Sequence, residues 1–299
     1  MASTLSRGTL FPAELRDGMI NLVKGKSSLA RLSAAEPIGF NGTEFFTFSL
    51  DNDVSVVGEN EAKANGGATV APVIVRPYKF EYGFRTSDEF MTASEEYRLN
   101  VLSQFVDAGA KKFARGFDIA AFHGLNPRTK TASTVIGTNH FDSQVTQTTT
   151  FAAATADANV EAAIALVQGN EEDVTGMAMA PAFRSALAAL TKTSGDKKFP
   201  ELAWGAQPGV INGLSVDTNS TVSINSNTDR AIVGNFQDYF KWGFAKDMYV
   251  KVIEYGNPDN DATAGDLQGH NQVYLRLEAY IGWGIMNPSA FARIIASGT

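Results

Sequence analysis

Between Glu44 and Leu50, Phe46, Phe48 and Leu50 stand on one side of the chain against Thr47 and Ser49 on the other, with Phe45 breaking the polarity of the second side. This period of two predicts a strand. A polar stretch follows from Asp51 to Thr69, where Gly58, Gly66 and Gly67 are set among Glu59, Glu61 and Lys63. A second extended run begins at Val70, and in it Tyr78, Phe80, Tyr82 and Phe84 alternate with Lys79, Glu81, Gly83 and Arg85. The two runs and their Gly-rich tip read as one long hairpin over 44–84. A ribbon of that length cannot bury itself, so it lies on its own domain or reaches another subunit.

Thr92-Ala93-Ser94-Glu95 fits a capping box, and beyond it Leu102, Phe105, Val106, Phe113, Phe117 and Ala120 recur at three- and four-residue spacings until Gly124 and Pro127 supply a stop. The pattern predicts one helix over 92–123, about 45 Å long at the standard rise. The Thr-, Ser- and Ala-rich segment Asn126–Thr155 reads as an exposed connection. After it come a short helix marked by Val160, Ile164 and Val167, a small-residue strand at Val174–Ala180, and a helix opened by Pro181 with Phe183, Leu187 and Leu190 on one face. Ser194–Gly213 is a Gly- and Pro-rich loop with the pair Lys197-Lys198. Short strands are predicted at Leu214–Ile224 and Ala231–Val233, and long ones at Met248–Tyr255 and Gln272–Trp283. In the last, Val273, Leu275, Leu277, Ala279, Ile281 and Trp283 alternate with Tyr274, Arg276, Glu278, Tyr280 and Gly282, so one face is core and the other polar or aromatic. Residues 1–43 show weak periodicity, with a short helix only at Pro12–Lys24, and read as an arm.

At 299 residues and 44% hydrophobic content the chain can bury a core and fits one large domain or two smaller ones. It has no Cys, which excludes disulfides, Cys-ligated metals and a Cys nucleophile. No secretory signal and no membrane-spanning run occurs. With 25 Lys and Arg against 32 Asp and Glu, the chain as a whole is not a tight binder of nucleic acid.

Gly25-Lys26-Ser27 resembles the end of a phosphate loop, but Ile20 occupies the place of the required first Gly. Neither a nucleophile elbow nor a dinucleotide fingerprint appears. His123, His140 and His270 are not at metal-ligand spacing and read as surface or helix-end residues. Asn257–Ala262 lacks the Gly and Glu of a calcium loop and reads as a turn. Asn41-Gly42-Thr43 and Asn219-Ser220-Thr221 match glycosylation acceptors in pattern only. Glu171 and Glu172 are adjacent acids in a polar loop, which are ordinarily solvated. The reading contains no catalytic residue, no cofactor and no metal.

The order of elements, an arm, a long hairpin with a Gly-rich tip, a long helix, a small helix-and-strand domain and long returning strands, resembles the major capsid protein of tailed bacteriophages, the fold named after the Hong Kong phage ninety-seven. Local phrases are similar too: Ser87-Asp88-Glu89-Phe90 between hairpin and helix, Leu190-Thr191-Lys192-Thr193-Ser194-Gly195, Asn212-Gly213-Leu214-Ser215-Val216 with Ser215 in place of Pro, Gly234-Asn235-Phe236, and Asn287-Pro288-Ser289-Ala290-Phe291. The resemblance implies an α+β fold with an N-terminal arm (1–43), an extended loop lying over a neighbouring subunit (44–84), a peripheral domain (85–157 and 224–299) with a spine helix (92–123), and a mixed α/β axial domain (158–223). It places the 194–210 loop at the capsomer centre and Gly256–Asn271 around local threefold axes. It implies a shell of hexamers and pentamers around double-stranded DNA held without sequence-specific binding, with portal, scaffolding and decoration proteins as further partners. Assembly would occur in the host cytoplasm, with the virion as destination and no membrane involved. Glu59, Glu61, Lys63, Lys197, Lys198 and Asn271 become the candidate intersubunit residues. One branch of the family joins a hairpin Lys to an Asn by an isopeptide bond with the help of a buried Glu; Lys63 and Asn271 hold the matching places, no such Glu is identified, and Lys63 reads as a solvated or intersubunit ion-pair partner. Two other readings stand beside this one, an encapsulin-like nanocompartment shell and a soluble α/β enzyme.

Overall fold

Ser27 caps a short helix, α1 (Ser28–Leu32), by accepting the Ala30 N–H, and Leu29 of that helix is fully buried. A computed structural model describes residues 26–50, 52–63, 65–224 and 229–297; the expected helix at Pro12–Lys24 lies outside the described residues. Residues 26–38 are packed, contrary to the expectation of a loose arm throughout 1–43. Asp118 accepts the Ser28 N–H at 3.0 Å and the Ser27 hydroxyl, and the Trp242 carbonyl accepts the Glu36 N–H at 2.8 Å. At Gly243 a Cβ would stand 1.7 Å from the Glu36 carbonyl oxygen, so this close approach requires glycine. The partners lie some 90 to 200 residues away in sequence, where no local pattern reaches them.

Strands β1 (Thr43–Leu50) and β2 (Ala68–Val75) form an antiparallel ribbon in register from Thr43↔Val75 to Leu50↔Ala68. The run from Val70 to Phe84, read as one strand, is two. The chain turns at Arg76-Pro77, and β3 (Pro77–Ser87) leaves the ribbon to pair with a distant strand. The hairpin therefore spans 43–75, with its root fixed by Val75, which is fully buried.

The long helix, α2 (Glu95–His123), is capped by Ser94 and begins three residues later than predicted, because Thr92 ends a separate turn and spends its hydroxyl on the Glu89 carbonyl at 2.8 Å. Gly124 closes it at φ 64°, its N–H on the Ala120 carbonyl. The segment that follows, read as an exposed connection, is exposed or half-buried for most of its length but sends three residues into the core: Ile136 and Val145 are buried and the Phe141 ring lies 5.1 Å from that of Phe291. Its last residues form β4 (Thr148–Phe151). Helices α3 (Ala156–Gln168) and α4 (Pro181–Ala189), with β5 (Gly176–Met179) between them, lie where the sequence places them.

The remaining strands are β6 (Val210–Ile211), β7 (Leu214–Thr218), β8 (Asp229–Gly234), β9 (Phe240–Ile253), β10 (Gln272–Ile285) and β11 (Phe291–Ala296). Strand β9 starts eight residues before the prediction. A register shift between Glu278 and Ile281 interrupts its pairing and hides the periodicity of its first half. Sheet β3–β10–β9 buries Leu275, Leu277, Ile281 and Trp283 in a core shared with Phe113 and Phe117 of α2. The six-stranded sheet has the order β4–β11–β8–β5–β7–β6. Met177, Met179, Val233 and Ile294 on one face pack with Phe183 and Leu187 of α4, while Ala178, Ile232 and Phe291 on the other join the α2 core. Strands β4, β8 and β11 come from outside 158–223, so that segment does not complete a sheet alone; Gly176–Met179, buried at every position, finds its partner β8 in the later segment.

Candidate assembly surface

The β1–β2 ribbon has one apolar face that nothing among the described residues covers. Phe46, Phe48 and Leu50 are exposed, opposite Pro72, Val70 and Ala68, and in the connection beyond them Val54 and Val56 are 94% and 97% exposed. In β10 the same alternation marks a buried face. An isolated two-stranded ribbon with an open apolar face is marginal in water, and a contiguous apolar patch of this kind marks a contact with another molecule. Glu59, Glu61 and Lys63 lie exposed in the same connection, where the Glu61 carboxylate accepts the Gly58 N–H at 3.0 Å and so shapes its own turn.

Lys197 and Lys198 diverge in role. Lys197 is exposed, whereas Lys198 pairs with Asp157 at the start of α3, which draws that carboxyl below its ordinary range. Among the described residues Lys198 is the one of the six predicted residues with an ion pair. In the loop between α4 and β6, Trp204 is fully exposed with φ 56° beside Gly205 at φ 83°. Sequence periodicity passes over it; a lone Trp in a Gly- and Pro-rich loop is the signal that was available.

Asn271 also takes a positive φ, 51°, and its carbonyl accepts the Asp88 N–H at 2.9 Å, tying the 256–271 loop to the start of the helical region. That loop is held from inside by Arg85. Its Nε and Nη2 reach the two oxygens of Asp259 at 2.9 and 2.6 Å, and further bonds run to the Gly265 carbonyl at 2.9 Å and Asn257 Oδ1 at 2.8 Å. The Arg85 fork holds the Asp259 carboxyl at about 2. The Asp261 carboxylate accepts the N–H groups of Thr263 and Ala264, as the turn reading expects. Arg85→Lys keeps the charge and loses the fork. The expected result is faster amide hydrogen exchange across 257–266 with little change in global melting, and an unchanged exchange pattern would contradict it.

On the outer face of β3–β10–β9, Glu278 is 1% exposed and sits among Lys79 at 2.9 Å, Arg276 at 3.1 Å and Lys251 at 3.2 Å, with the Tyr249 hydroxyl bonded to it. Burial would raise this carboxyl, but Tyr249, Lys79 and Lys251 outweigh it and hold it at about 2. It lies seven residues after Asn271, a buried Glu that sequence alone did not single out. A carboxylate held so low is a poor proton acceptor, and its geometry is that of an ionic clasp across three strands.

His123 is the helix-end residue that the sequence offers, and there, buried, it converges with Asp142 and Asp229 at the C-terminal end of α2. His123 Nδ1 meets Asp142 Oδ2 at 2.8 Å, and its Nε2 meets the Thr221 carbonyl at 2.8 Å. Both ring nitrogens face acceptors, which favours the imidazolium, and although burial lowers its pKa, Asp142 raises it above the ordinary value. Arg293 Nη2 lies 3.0 Å from Asp142 and 2.8 Å from Asp229. The three ligand-type residues could group around an ion, but the Arg293 guanidinium already supplies the positive charge to both carboxylates, and the donor set fits an ion-pair joint between α2 and the six-stranded sheet.

The model of the phage capsid family matches residues 7–294. Among solved structures, a chain of Mycobacterium phage Ogopogo is 31% identical, with a TM-score of 0.77 over 91% of this chain and 92% of that one. A chain of Gordonia phage Cozz is 21% identical, with a TM-score of 0.75 over 91% and 87%. The capsid of an empty GTA particle computed with C5 symmetry is 13% identical, with a TM-score of 0.64 over 91% and 90%. No curated protein matches.

Proposed function

This chain belongs to the phage capsid family, and from that premise we propose that it closes the phage head as rings of six and five copies whose hairpins each lie on the next subunit. It is a structural, non-enzymatic protein, the major capsid protein of a phage head and a component of the virion. The enzyme reading gives way. What supports the ring arrangement is the open apolar face of β1–β2, which needs a second molecule to cover it and has, in a self-assembling shell, an identical neighbour at hand. In the same reading 43–75 is the extended loop, the β3–β10–β9 sheet with α2 is the peripheral domain, and the six-stranded sheet is the axial domain with Trp204 toward the ring centre. Glu59, Glu61, Lys63 and Lys197 then lie at subunit contacts, while Lys198 and Asn271 stabilise the loops that bear contacts. The shell encloses double-stranded DNA without reading its sequence. It meets a portal, scaffolding protein and decoration proteins, and it is put together in the host cytoplasm.

Electron microscopy of the purified protein, with size-exclusion chromatography, tests this. Closed shells or rings are expected, with DNA inside particles from infected cells; protein cargo in place of DNA would turn the reading toward a nanocompartment. Deleting 52–67 and joining the ribbon by a short turn is expected to leave melting within about 1 kcal/mol of the parent, since loop changes at exposed tips are tolerated, while abolishing shells. A variant that assembles normally, or one that unfolds, would count against the hairpin as the joining element.

A further inference from the structure

A cleft of about 650 Å³ runs between β3, the middle of α2 and the 126–136 turn, and its charge is one-sided. The ionisable side chains lining it include Lys79, Lys112, Arg115, Arg128 and Lys130 and a single acid, Glu81. Lys79 and Glu81 are accounted for, since Lys79 is bound to Glu278 and lies 3.7 Å from Glu81. Among the described residues the other four cations have no acid partner: Arg115 donates to the Ser220 hydroxyl at 2.9 Å and Lys130 to the Pro127 carbonyl. Lys130 lies below its ordinary pKa, first through burial and then through the charges of Arg115 and Lys112. Cations that repel one another in a chain of net charge -7 need an external anion.

The geometry points to this cleft as the place where the head wall touches packaged DNA, through the phosphate backbone. This rests on the reading of the chain as a head subunit and adds that the α2 face bearing Lys112 and Arg115 looks inward. Lys112 and Arg115 stand one helical turn apart and Arg128 and Lys130 follow on a turn packed against Gly116, which makes a short row of charges. Lys112 and Arg128 are exposed, and among the described residues neither side chain has a polar partner that would fix it to read a base edge or a peptide. That composition suits sequence-independent phosphate contacts. Few charges per subunit keep each contact weak enough for DNA to slide during packaging, while repetition over the shell sums them.

The test uses the full chain, titrated with a short mixed-sequence DNA duplex over a range of salt, with particles scored separately by electron microscopy. About three or four neutralised phosphates give a slope of about -3 for log affinity against log salt, and Lys112→Gln/Arg128→Gln is expected to cut it by about 2. A Lys192→Gln/Lys246→Gln control, which removes the same charge at exposed positions outside the cleft, is expected to keep the parent slope. Equal slopes for parent and cleft variant would overturn the inference. So would a folded cleft variant that loses particle formation but keeps its DNA slope, which would assign the cleft to an acidic protein surface. A parent chain that forms no particles under any condition would strike the head-subunit reading itself, whatever the slopes.

Discussion

Phe117→Ala is expected to cost about 3–5 kcal/mol, a large share of the roughly 5–15 kcal/mol that holds a domain together. Phe117 is fully buried against the β3–β10–β9 sheet, its ring 5.2 Å from Trp242, 5.7 Å from Trp283 and 6.4 Å from Phe240. Those three aromatic residues come from β9 and β10, and the next residue of the helix, Asp118, carries the bonds that anchor α1. Three large rings held in β9 and β10 cannot collapse into the space a lost phenyl leaves, so the cavity persists and its full penalty is felt. Phe117→Leu, which keeps most of the volume, should cost less than about 1.5 kcal/mol. Urea unfolding of the two variants beside the parent checks both values. A Phe117→Ala midpoint equal to that of the parent would remove Phe117 from the centre of the core.

How much of this was legible beforehand follows from the range of each signal. The apolar spacing of α2 and the alternation of β10 lie within one segment, and both elements stand where they were expected. The division of the run after Val70 was not legible, because the apolar run of β2 and the alternation of β3 both read as extended chain and the choice of partner, β1 or β10, separates them. Phe141 and Val145 sit in a Thr-rich stretch with no period, and their burial depends on Phe236, Phe240 and Phe291 arriving from far along the chain. The charged joints were hidden for the same reason. Glu278 reads as one polar residue on an outward face until Lys79 and Lys251 are brought beside it by the two flanking strands, and His123 reads as a helix end until Asp142 and Arg293 close over it. The hairpin, in turn, was legible as a feature that could not be satisfied within one chain, and its open face is that incompleteness seen in three dimensions.

Glu278→Gln is expected to destabilise the chain by about 2–3 kcal/mol at neutral pH, because it leaves Lys79, Lys251 and Arg276 crowded around a site with no negative charge. The register makes the arrangement costly to break: Arg276 stands directly opposite Lys251, and Glu278 opposite Glu81, so like charges face each other across the strands, and the pairs of Glu278 with Lys79, Lys251 and Arg276, together with that of Lys79 with Glu81, offset them. The same carboxylate sets an acid limit. Its pKa is about 2 in the fold against 4.5 for an ordinary Glu, so the folded state binds the proton less readily than the unfolded chain. Stability from this group is therefore complete above about pH 4.5 and is lost as pH falls toward 2. The shift corresponds to about 3 kcal/mol. Lys79 and Lys251 are 42% and 47% exposed, and water around their ends screens part of it, leaving about 2 kcal/mol. Melting measured from pH 7 to pH 2.5 should show the parent losing this increment and Glu278→Gln, which has no charge to lose there, falling less steeply, so that the two curves draw together in acid. Curves that stay parallel over that range would mean that Glu278 is not the clasp of the outer sheet face.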